Sequence, residues 1–144
     1  MEGSMKIKEI MSNKVISVSP EESAAVAARL FSRYNIGALP VCGREGKLRG
    51  MITDRDVVLR CVAAEEDPAH TKVSEIMTRR VVSVDAEDTA QSAVDLMAKE
   101  QIRRLPVEQN GKLVGMVSLG DFAKLKECNA GAALSEISGN VRNF

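Results

Sequence analysis

The sequence contains no tryptophan, and aromatic residues make up only 3% of it. Proteins that bind single-stranded nucleic acid stack bases on aromatic side chains, so this scarcity argues against that class. The formal net charge is zero, from 20 basic and 20 acidic residues, and gives no support for binding nucleic acid or an anionic membrane. No apolar run approaches the roughly 20 residues that span a bilayer. The N-terminus also lacks an apolar secretory segment, and we therefore expect a cytoplasmic protein.

Cysteine and histidine are scarce as well. The three cysteines are Cys42, Cys61 and Cys128, and His70 is the single histidine. An odd cysteine count argues against a disulfide framework, and without CxxC spacing the chain offers too few ligands for a zinc site. We expect the cysteines to be small, partly buried apolar residues, and we predict no metal and no required cofactor. An enzyme using Cys42 is the least favoured function, because no base accompanies that thiol.

The chain does have an internal repeat. Ile10–Val41 aligns without gaps on Ile76–Val107, and after a one-residue deletion Gly46–Val57 aligns on Gly111–Phe122. One copy alone is too short to bury a sufficient core, so we expect the two copies to pack together. The predicted domains are residues 5–64, residues 72–128 and a C-terminal tail at residues 129–144.

Each copy is predicted to contain a short lead-in segment followed by strand, helix, strand, strand and helix. This order indicates a mixed α/β (α+β) fold, with the two repeats packed about a pseudo-two-fold axis. Pro40 and Pro106 fall in the second strands and should lie at an edge or a bulge. The lead-in segments are Lys6–Met11 and Lys72–Met77, the first strands Val15–Val18 and Val81–Val84, the helix starts Ser19–Glu22 and Asp85–Asp88, the second strands Ala38–Val41 and Arg104–Val107, the third strands Leu48–Ile52 and Leu113–Val117, and the closing helices residues 54–64 and 119–128.

Small apolar residues recur at helical spacing over Ala24–Ala28 and Ala90–Ala98. These stripes predict close helix packing, and from them we expect a homodimer. A further apolar stripe in the tail packs either on the chain's own core or on a partner subunit, and the pattern favours neither. That stripe consists of Ala130, Ala133, Leu134 and Ile137.

Two related heptads, Gly50–Asp56 and Gly115–Asp121, carry the most specific signal. Each reads glycine, two apolar residues, Thr53 or Ser118, two variable positions and then aspartate. In this pattern a strand ends at a hydroxyl residue, a helix begins there, and a carboxylate follows one turn later. The helix N-terminus could bind a phosphate and the carboxylate could accept from ribose hydroxyls, so the pattern could hold a phosphorylated ribose. The same pattern also predicts a capping box, in which the two side chains only cap the helix. A single heptad favours the cap, whereas two copies strengthen the binding hypothesis.

These features together resemble a tandem pair of CBS (cystathionine β-synthase) domains, the Bateman module. The resemblance is carried by the repeated element order, by Ile36–Val41 with Ile102–Val107, and by the two heptads, and it extends from Met5 to Cys128. Thr53–Asp56 is similar to stand-alone bacterial members in particular. The resemblance implies a non-catalytic sensor or regulatory unit that binds AMP, ADP, ATP, NAD or S-adenosylmethionine.

The resemblance also implies two nucleotide clefts, each built from both repeats. In such sites the aspartate holds the ribose hydroxyls, Thr or Ser holds phosphate or ribose oxygen, and apolar residues sandwich the adenine. One cleft would use Thr53, Asp56, Val82, Ile102, Arg103 and Arg104, and the other Ser118, Asp121, Ile16, Ile36, Gly37 and Ala38.

Arg103 and Arg104 make the two implied clefts unequal. A guanidinium binds phosphate bidentately, so the cleft that receives them should prefer a phosphorylated ligand. The alternative is that they form ion pairs with nearby acids such as Glu100 or Glu108. We expect at least one arginine to contact phosphate and the Asp56 cleft to be the one in use.

One further partner and one alternative function follow from this interpretation. An unidentified protein partner would receive the ligand signal. The alternative function is a structural or interaction protein of the same family that binds no nucleotide.

Overall fold

The computed structural model describes residues 5–123, which divide into two units that each have a hydrophobic core. The first unit is Ile16–Val81, and the second combines residues 5–15 with residues 82–123. The mixed α/β class is confirmed, since each unit packs helices on a small sheet. Within residues 5–123, none of the helices has the length and apolar character that crossing a membrane requires.

The first unit contains one antiparallel hairpin with a helix before it and a helix after it. Its core includes buried residues of α1, of both strands and of the closing helix. In chain order the elements are α1 (Ala24–Tyr34), β1 (Ala38–Cys42), a 3₁₀ turn (Arg44–Gly46), β2 (Leu48–Thr53), α2 (Asp54–Val57), a π-helical turn (Val58–Val62) and α3 (Val73–Ile76).

The second unit repeats this plan with a three-stranded sheet of order β3-β4-β5. The β4–β5 hairpin is antiparallel, and β3 adds to it in parallel. The elements are a 3₁₀ turn (Ile7–Glu9), β3 (Val84–Asp85), α4 (Ala90–Glu100), β4 (Arg104–Gln109), β5 (Lys112–Ser118) and α5 (Leu119–Phe122). The predicted end of the second closing helix, the 129–144 tail and Cys128 lie outside the described residues.

Each lead-in segment packs in the unit formed by the other repeat. Ile7, from the start of the first repeat, is fully buried in the second unit's core. Val73 and Ile76, from the start of the second repeat, lie in the first unit's core. The compact units therefore exchange the first residues of the two sequence repeats. The sequence alone did not predict this exchange.

Both long helices begin later than predicted. Ser19–Glu22 forms a turn, and α1 starts at Ala24 with Ser23 as N-cap, whose hydroxyl accepts from the Val26 amide at 3.2 Å. Asp85–Asp88 likewise precedes α4, which is capped by Thr89. The acidic residues are therefore outside the first helical turn, because the Ser and Thr side chains satisfy the free amides.

The predicted first strands are mostly absent. Only Val18 of Val15–Val18 forms a bridge, to Val41, and only Val84 of Val81–Val84 lies in a strand, at the start of β3. β-Branched residues favour extended backbone, but a strand also requires a neighbour along its length. These segments have such a neighbour only at their last residues.

Pro40 and Pro106 do not lie at a bulge. Each lies one residue before the last residue that precedes the register shift of its hairpin, after Val41 and after Val107. Pro40 lies opposite Met51 and Pro106 opposite Met116 in the two hairpins. The amide and carbonyl of each methionine bond outward, to the residue that follows a lead-in segment. The missing proline N–H therefore leaves no bond of the hairpin unmade.

The alanine stripes face the interior. Ala24 and Ala27 are fully buried in the first unit's core, and Ala90 and Ala93 are buried in the second unit's core. Each helix needs these small residues to lie close to its own sheet. The observation from which a dimer was predicted is therefore explained within each unit, and a dimer needs a different surface.

Candidate functional site

The first heptad forms a complete capping box at the junction of β2 and α2. The Thr53 hydroxyl accepts from the Asp56 amide at 3.0 Å, and the Asp56 carboxylate accepts from the Thr53 amide at 3.0 Å. These reciprocal bonds satisfy two amides that the helix start would otherwise leave unpaired. The capping interpretation of the pattern is thus confirmed for this heptad, and any ligand role comes in addition to it.

The Asp56 carboxylate has further partners. Thr78 donates its hydroxyl to both carboxylate oxygens, at 3.2 and 3.3 Å. The Arg60 guanidinium lies 3.9 Å away and also donates to the Ile76 and Met77 carbonyls. Asp56 itself is only 6% exposed. This carboxylate therefore connects α2 to Thr78, the residue that follows the lead-in segment Lys72–Met77.

The second heptad has the same backbone geometry with a more open carboxylate. Asp121 accepts from the Ser118 amide at 2.8 Å, and the Ser118 hydroxyl accepts from the Asp121 amide at 3.4 Å. Asp121 is exposed. Among residues 5–123, the Ser118 amide is the single donor to the Asp121 carboxylate. The two equivalent aspartates thus differ in how much hydrogen-bonding capacity they have left.

Each heptad lies beside the second-strand corner of its own unit. Thr53 is opposite Ala38 in the β1–β2 hairpin, and the Asp54 amide donates to the Gly37 carbonyl at 2.9 Å. In the second unit, Ser118 is opposite Arg104. The Leu119 amide there donates to the Arg103 carbonyl at 2.7 Å. Hairpin pairing therefore places the two arginines at the Ser118 heptad.

The remaining predicted residues are apolar and half-buried. Ile16 and Ile36 pack against the first unit's core, while Val82 and Ile102 pack against the second unit's core. The first unit thus brings together Ile16, Ile36, Gly37, Ala38, Thr53 and Asp56, and the second Val82, Ile102, Arg103, Arg104, Ser118 and Asp121. The assignment of residues from both repeats to each cleft stays a prediction.

The arginines' predicted alternative partners have contacts of their own. Glu108 accepts a hydrogen bond from the Ser83 hydroxyl. Arg104 is exposed on β4, with its backbone in the hairpin. Glu108 is therefore engaged by Ser83, and Arg104 is exposed.

Close packing explains why both heptads begin with glycine. A Cβ on Gly50 would lie 2.6 Å from the Thr78 carbonyl oxygen. A Cβ on Gly115 would lie 2.6 Å from the Met11 sulfur and 2.9 Å from the Ser12 carbonyl oxygen. Both glycines therefore admit a lead-in segment against the third strand, and ligand contact is not needed to explain them.

Sequence reasoning missed Thr78 as part of the first heptad's surroundings. A signal was present, since Thr78 and Ser12 occupy equivalent positions of the repeat and both carry a hydroxyl. Their bridges, Thr78 to Met51 and Ser12 to Met116, cover the outer edges of the two hairpins. The sequence could not reveal that each pairs with the other repeat.

The cysteines within the described part of the chain are consistent with packing roles. Cys61 is fully buried in the first unit's core, and its thiol donates to the Glu66 carbonyl at 3.6 Å. Cys42 ends β1 and is half-buried. Among residues 5–123, no group of three or more His, Cys, Asp or Glu side chains could hold a metal ion.

The repeated plan of hairpin, heptad and capped helix matches a known family. The CBS domain model matches residues 7–62 and again residues 73–127. The chain belongs to the CBS domain family. The tandem pair expected from the sequence is thereby confirmed, and as a CBS domain pair the chain is a regulatory module.

Relatives and solved structures agree with this membership. The chain is 42% identical over 134 residues to the CBS domain-containing protein YhcV of Bacillus subtilis, covering 92% of this chain and 94% of YhcV. The crystal structure of Hypoxic Response Protein I, with two coordinated zinc ions, is 36% identical with a TM-score of 0.75, covering 83% of this chain and 97% of that one. The CBS domain pair of MJ0100, crystallised with 5′-methylthioadenosine and S-adenosyl-L-methionine, is 28% identical with a TM-score of 0.70, covering 85% and 95%.

Proposed function

We propose that this CBS domain pair is a non-catalytic sensor that binds an adenosine derivative, with the Ser118–Asp121 heptad as its main ribose and phosphate contact. Binding would change the state that the module passes to a protein partner. The observation that carries the proposal is the exposed Asp121 carboxylate, in a heptad whose Ser118 lies opposite Arg104 in the β4–β5 hairpin.

The chemistry of these residues matches a phosphorylated nucleoside. An exposed carboxylate can accept from the two hydroxyls of a ribose, since one bond from the Ser118 amide leaves most of its lone pairs available. The Ser118 hydroxyl adds a polar contact, and Arg104, opposite Ser118, can bind phosphate bidentately. Ile102 and Val82, which pack against the core of the same unit, would supply apolar surface for a base.

A solved relative supports the class of ligand. The CBS domain pair of MJ0100 binds 5′-methylthioadenosine and S-adenosyl-L-methionine, both adenosine derivatives. AMP, ADP, ATP and NAD share the same adenosine group. The ligand of this chain is therefore proposed as a class, and the screen below includes all six compounds.

Asp56 is less available than the sequence led us to expect. The sequence favoured the Asp56 cleft as the one in use, whereas this carboxylate is buried and already accepts from Thr53 and Thr78. A ligand at this heptad would have to compete with the Thr78 hydroxyl for a carboxylate that is only 6% exposed. We therefore expect binding to depend more on Asp121 than on Asp56.

A thermal-shift screen of the full chain tests the proposal. A ligand that binds only the folded state stabilises it by about 2.7 kcal/mol at 100-fold excess over Kd. For a chain of this size we expect the melting temperature to rise by roughly 5–10 °C with at least one adenosine compound. Mass spectrometry of small molecules released on denaturation identifies any ligand that copurifies. The absence of both a shift and a copurifying adenosine compound would contradict the proposal.

The alternative is a CBS protein that acts only through protein contacts. It is favoured by one observation, namely that both capping boxes are completed by the chain's own side chains and amides. Under this alternative the heptads stabilise helices and nothing else. The same screen separates the two, because an interaction protein without a nucleotide site gives no shift with any of the six compounds.

A further inference from the structure

The lead-in sequence occurs a third time in the chain. Each copy reads an apolar residue, a polar residue, glutamate and isoleucine. The first two copies pack in the two units, whereas the third belongs to the tail, outside the described residues. The copies are Ile7–Ile10, Val73–Ile76 and Leu134–Ile137, hereafter the N-terminal copy, the middle copy and the tail copy.

The N-terminal and middle copies are held by equivalent contacts. Ile7 and Val73 are both fully buried. Their amides donate to the turn before a long helix, from Ile7 to the Asp88 carbonyl at 2.9 Å and from Val73 to the Glu22 carbonyl at 2.8 Å. In each copy the glutamate carboxylate accepts from the amide of the residue that precedes the copy. These contacts require an apolar first residue, a glutamate and free backbone amides.

The tail copy meets these requirements. Leu134 and Ile137 supply the apolar side chains, and Glu136 supplies the carboxylate. The tail copy contains no proline, so each of its residues has an amide that can donate. It therefore has the groups by which the other two copies are held.

The order of the chain also places the tail copy correctly for the second unit. In the first unit the lead-in segment follows the closing helix, and Val73 comes 16 residues after Val57. Leu134 comes 12 residues after Phe122, the equivalent of Val57. Twelve extended residues reach at most about 40 Å. A compact unit of this size is only roughly 25 Å across, so the connection is long enough.

The second unit instead receives its lead-in segment from the other end of the chain. Its core contains Ile7, from the N-terminal copy. We propose that the tail copy docks at this same place in the second unit, so that the N-terminal and tail copies compete for one site. This inference does not depend on ligand binding.

The N-terminal copy has contacts that the tail copy cannot make. The Lys6 and Lys8 ammonium groups each lie 2.8 Å from the Glu87 carboxylate. The equivalent tail residues, Ala133 and Ser135, carry no charge. The N-terminal copy is therefore the preferred occupant, and the tail copy replaces it when it is weakened or withdrawn.

Such a replacement would change the edge of the strand that carries the second heptad. Ser12 follows the N-terminal copy, and its amide and carbonyl bond to Met116, two residues before Ser118. In the tail copy the equivalent residue is Gly139, which has no side chain. The competition thus links both ends of the chain to the neighbourhood of the Ser118 heptad.

The first test measures whether residues 7 and 134 are coupled in the full chain. Leu134→Asp alone should change the melting temperature by less than about 1 °C, because the N-terminal copy holds the site. Added to Ile7→Ala, the same change should lower the melting temperature by roughly a further 5 °C, because it removes the replacement. Added to Val73→Ala, the matched control, Leu134→Asp should again have little effect, since Val73 packs in the first unit.

A second test detects the docked tail directly. Ile7→Asp places a charge at a fully buried position and should expel the N-terminal copy. Hydrogen exchange followed by mass spectrometry should then show amide exchange over residues 134–139 that is about 10-fold slower than in wild type. If Ile7→Asp does not fold, Ile7→Ala gives the same readout.

Three results would overturn the proposal. An equal effect of Leu134→Asp in wild type, Ile7→Ala and Val73→Ala would mean that the tail copy packs elsewhere. No effect in any of these backgrounds, with unchanged exchange over residues 134–139, would mean that it does not dock. Coupling between residues 7 and 134 that strengthens with protein concentration would mean that the tail docks in a second chain.

Discussion

Asp56 and Asp121 occupy the same position of the repeat, yet their neighbours give them different roles. Both close a capping box with the hydroxyl residue three positions earlier. Asp56 also accepts from Thr78 and is 6% exposed, whereas Asp121 is exposed. A buried carboxylate with several donors is strongly tied to the fold. An exposed one with a single donor has capacity left for a ligand.

Replacing each aspartate with asparagine should therefore separate stability from binding. Asp56→Asn should lower the free energy of unfolding by about 1–3 kcal/mol, because a buried hydrogen-bonded charge is lost beside Thr78 and Arg60. Asp121→Asn should lower it by no more than ~1 kcal/mol. Affinity for the adenosine compound found in the screen should fall by about 10- to 100-fold in Asp121→Asn.

Chemical denaturation and isothermal titration calorimetry of the two variants measure these effects. Each variant is the other's control, since the substitution and the backbone position are the same. Unchanged affinity in Asp121→Asn together with lost affinity in Asp56→Asn would show that the first heptad holds the ligand. In that case the expectation from the sequence was right and the assignment made from burial is wrong.

At the scale of elements, the hairpins were the most predictable part of the fold. β1 with β2 and β4 with β5 lie where the sequence predicted the second and third strands, on either side of a glycine-containing turn. Asn110–Gly111 forms the tight turn with positive φ at both residues, as that dipeptide favours. Local sequence decides such structures, because the turn and the strand pattern lie within a few residues of each other.

The helix starts and first strands were predicted less well, for different physical reasons. At Ser19–Glu22, acidic residues and proline are typical of a helix start, but Ser23 provides the better cap a few residues later. At Val15–Val18, strand formation depends on a partner, and only Val18 has one. For the candidate site, the sequence located both heptads and their caps. It could not show that Thr78 fills the hydrogen-bonding capacity of Asp56, since that contact joins different repeats.

An exposed ion-pair network joins the N-terminal lead-in segment to the turn that precedes α4 in the second unit. The Lys6 and Lys8 ammonium groups each lie 2.8 Å from a carboxylate oxygen of Glu87. Hydrogen bonds from Lys6 and Lys8 lower the pKa of Glu87 from 4.5 to about 2. A lowered pKa in the folded state means that the charged carboxylate stabilises the fold. That contribution is complete above pH 4.5 and is lost as the pH falls towards 2.

Glu87→Gln should therefore melt at a lower temperature than wild type at neutral pH, with a difference that disappears near pH 2. High salt should also reduce the difference, because exposed charges are screened. Glu21→Gln is the matched control, since Glu21 is the equivalent residue and takes part in no ion pair within residues 5–123. Scanning calorimetry across this pH range measures the effect, and an equal, pH-independent loss in both variants would argue against it.

At the scale of the whole molecule, the exchanged lead-in segments make each repeat dependent on the other. The first unit's core contains Val73 and Ile76, although the sequence repeat that supplies its sheet ends before them. The second unit's core contains Ile7 in the same way. Gly50 and Gly115 admit the exchanged segments against the third strands. Duplication thus supplies each small core with residues that a single repeat would lack in this arrangement.

This exchange predicts which sheet loosens when a lead-in residue is truncated. Ile7→Ala should lower stability by about 2–5 kcal/mol, and Val73→Ala by less because fewer methyl groups are removed. Hydrogen exchange followed by mass spectrometry locates the loss along the full chain. In Ile7→Ala the amides of β4 and β5 should exchange faster, although Ile7 belongs to the first repeat in sequence. In Val73→Ala the amides of β1 and β2 should do so. Faster exchange in β1 and β2 of Ile7→Ala, or equally faster exchange in both hairpins of both variants, would contradict this prediction. It would show that a lead-in segment does not selectively stabilise the unit in which it packs.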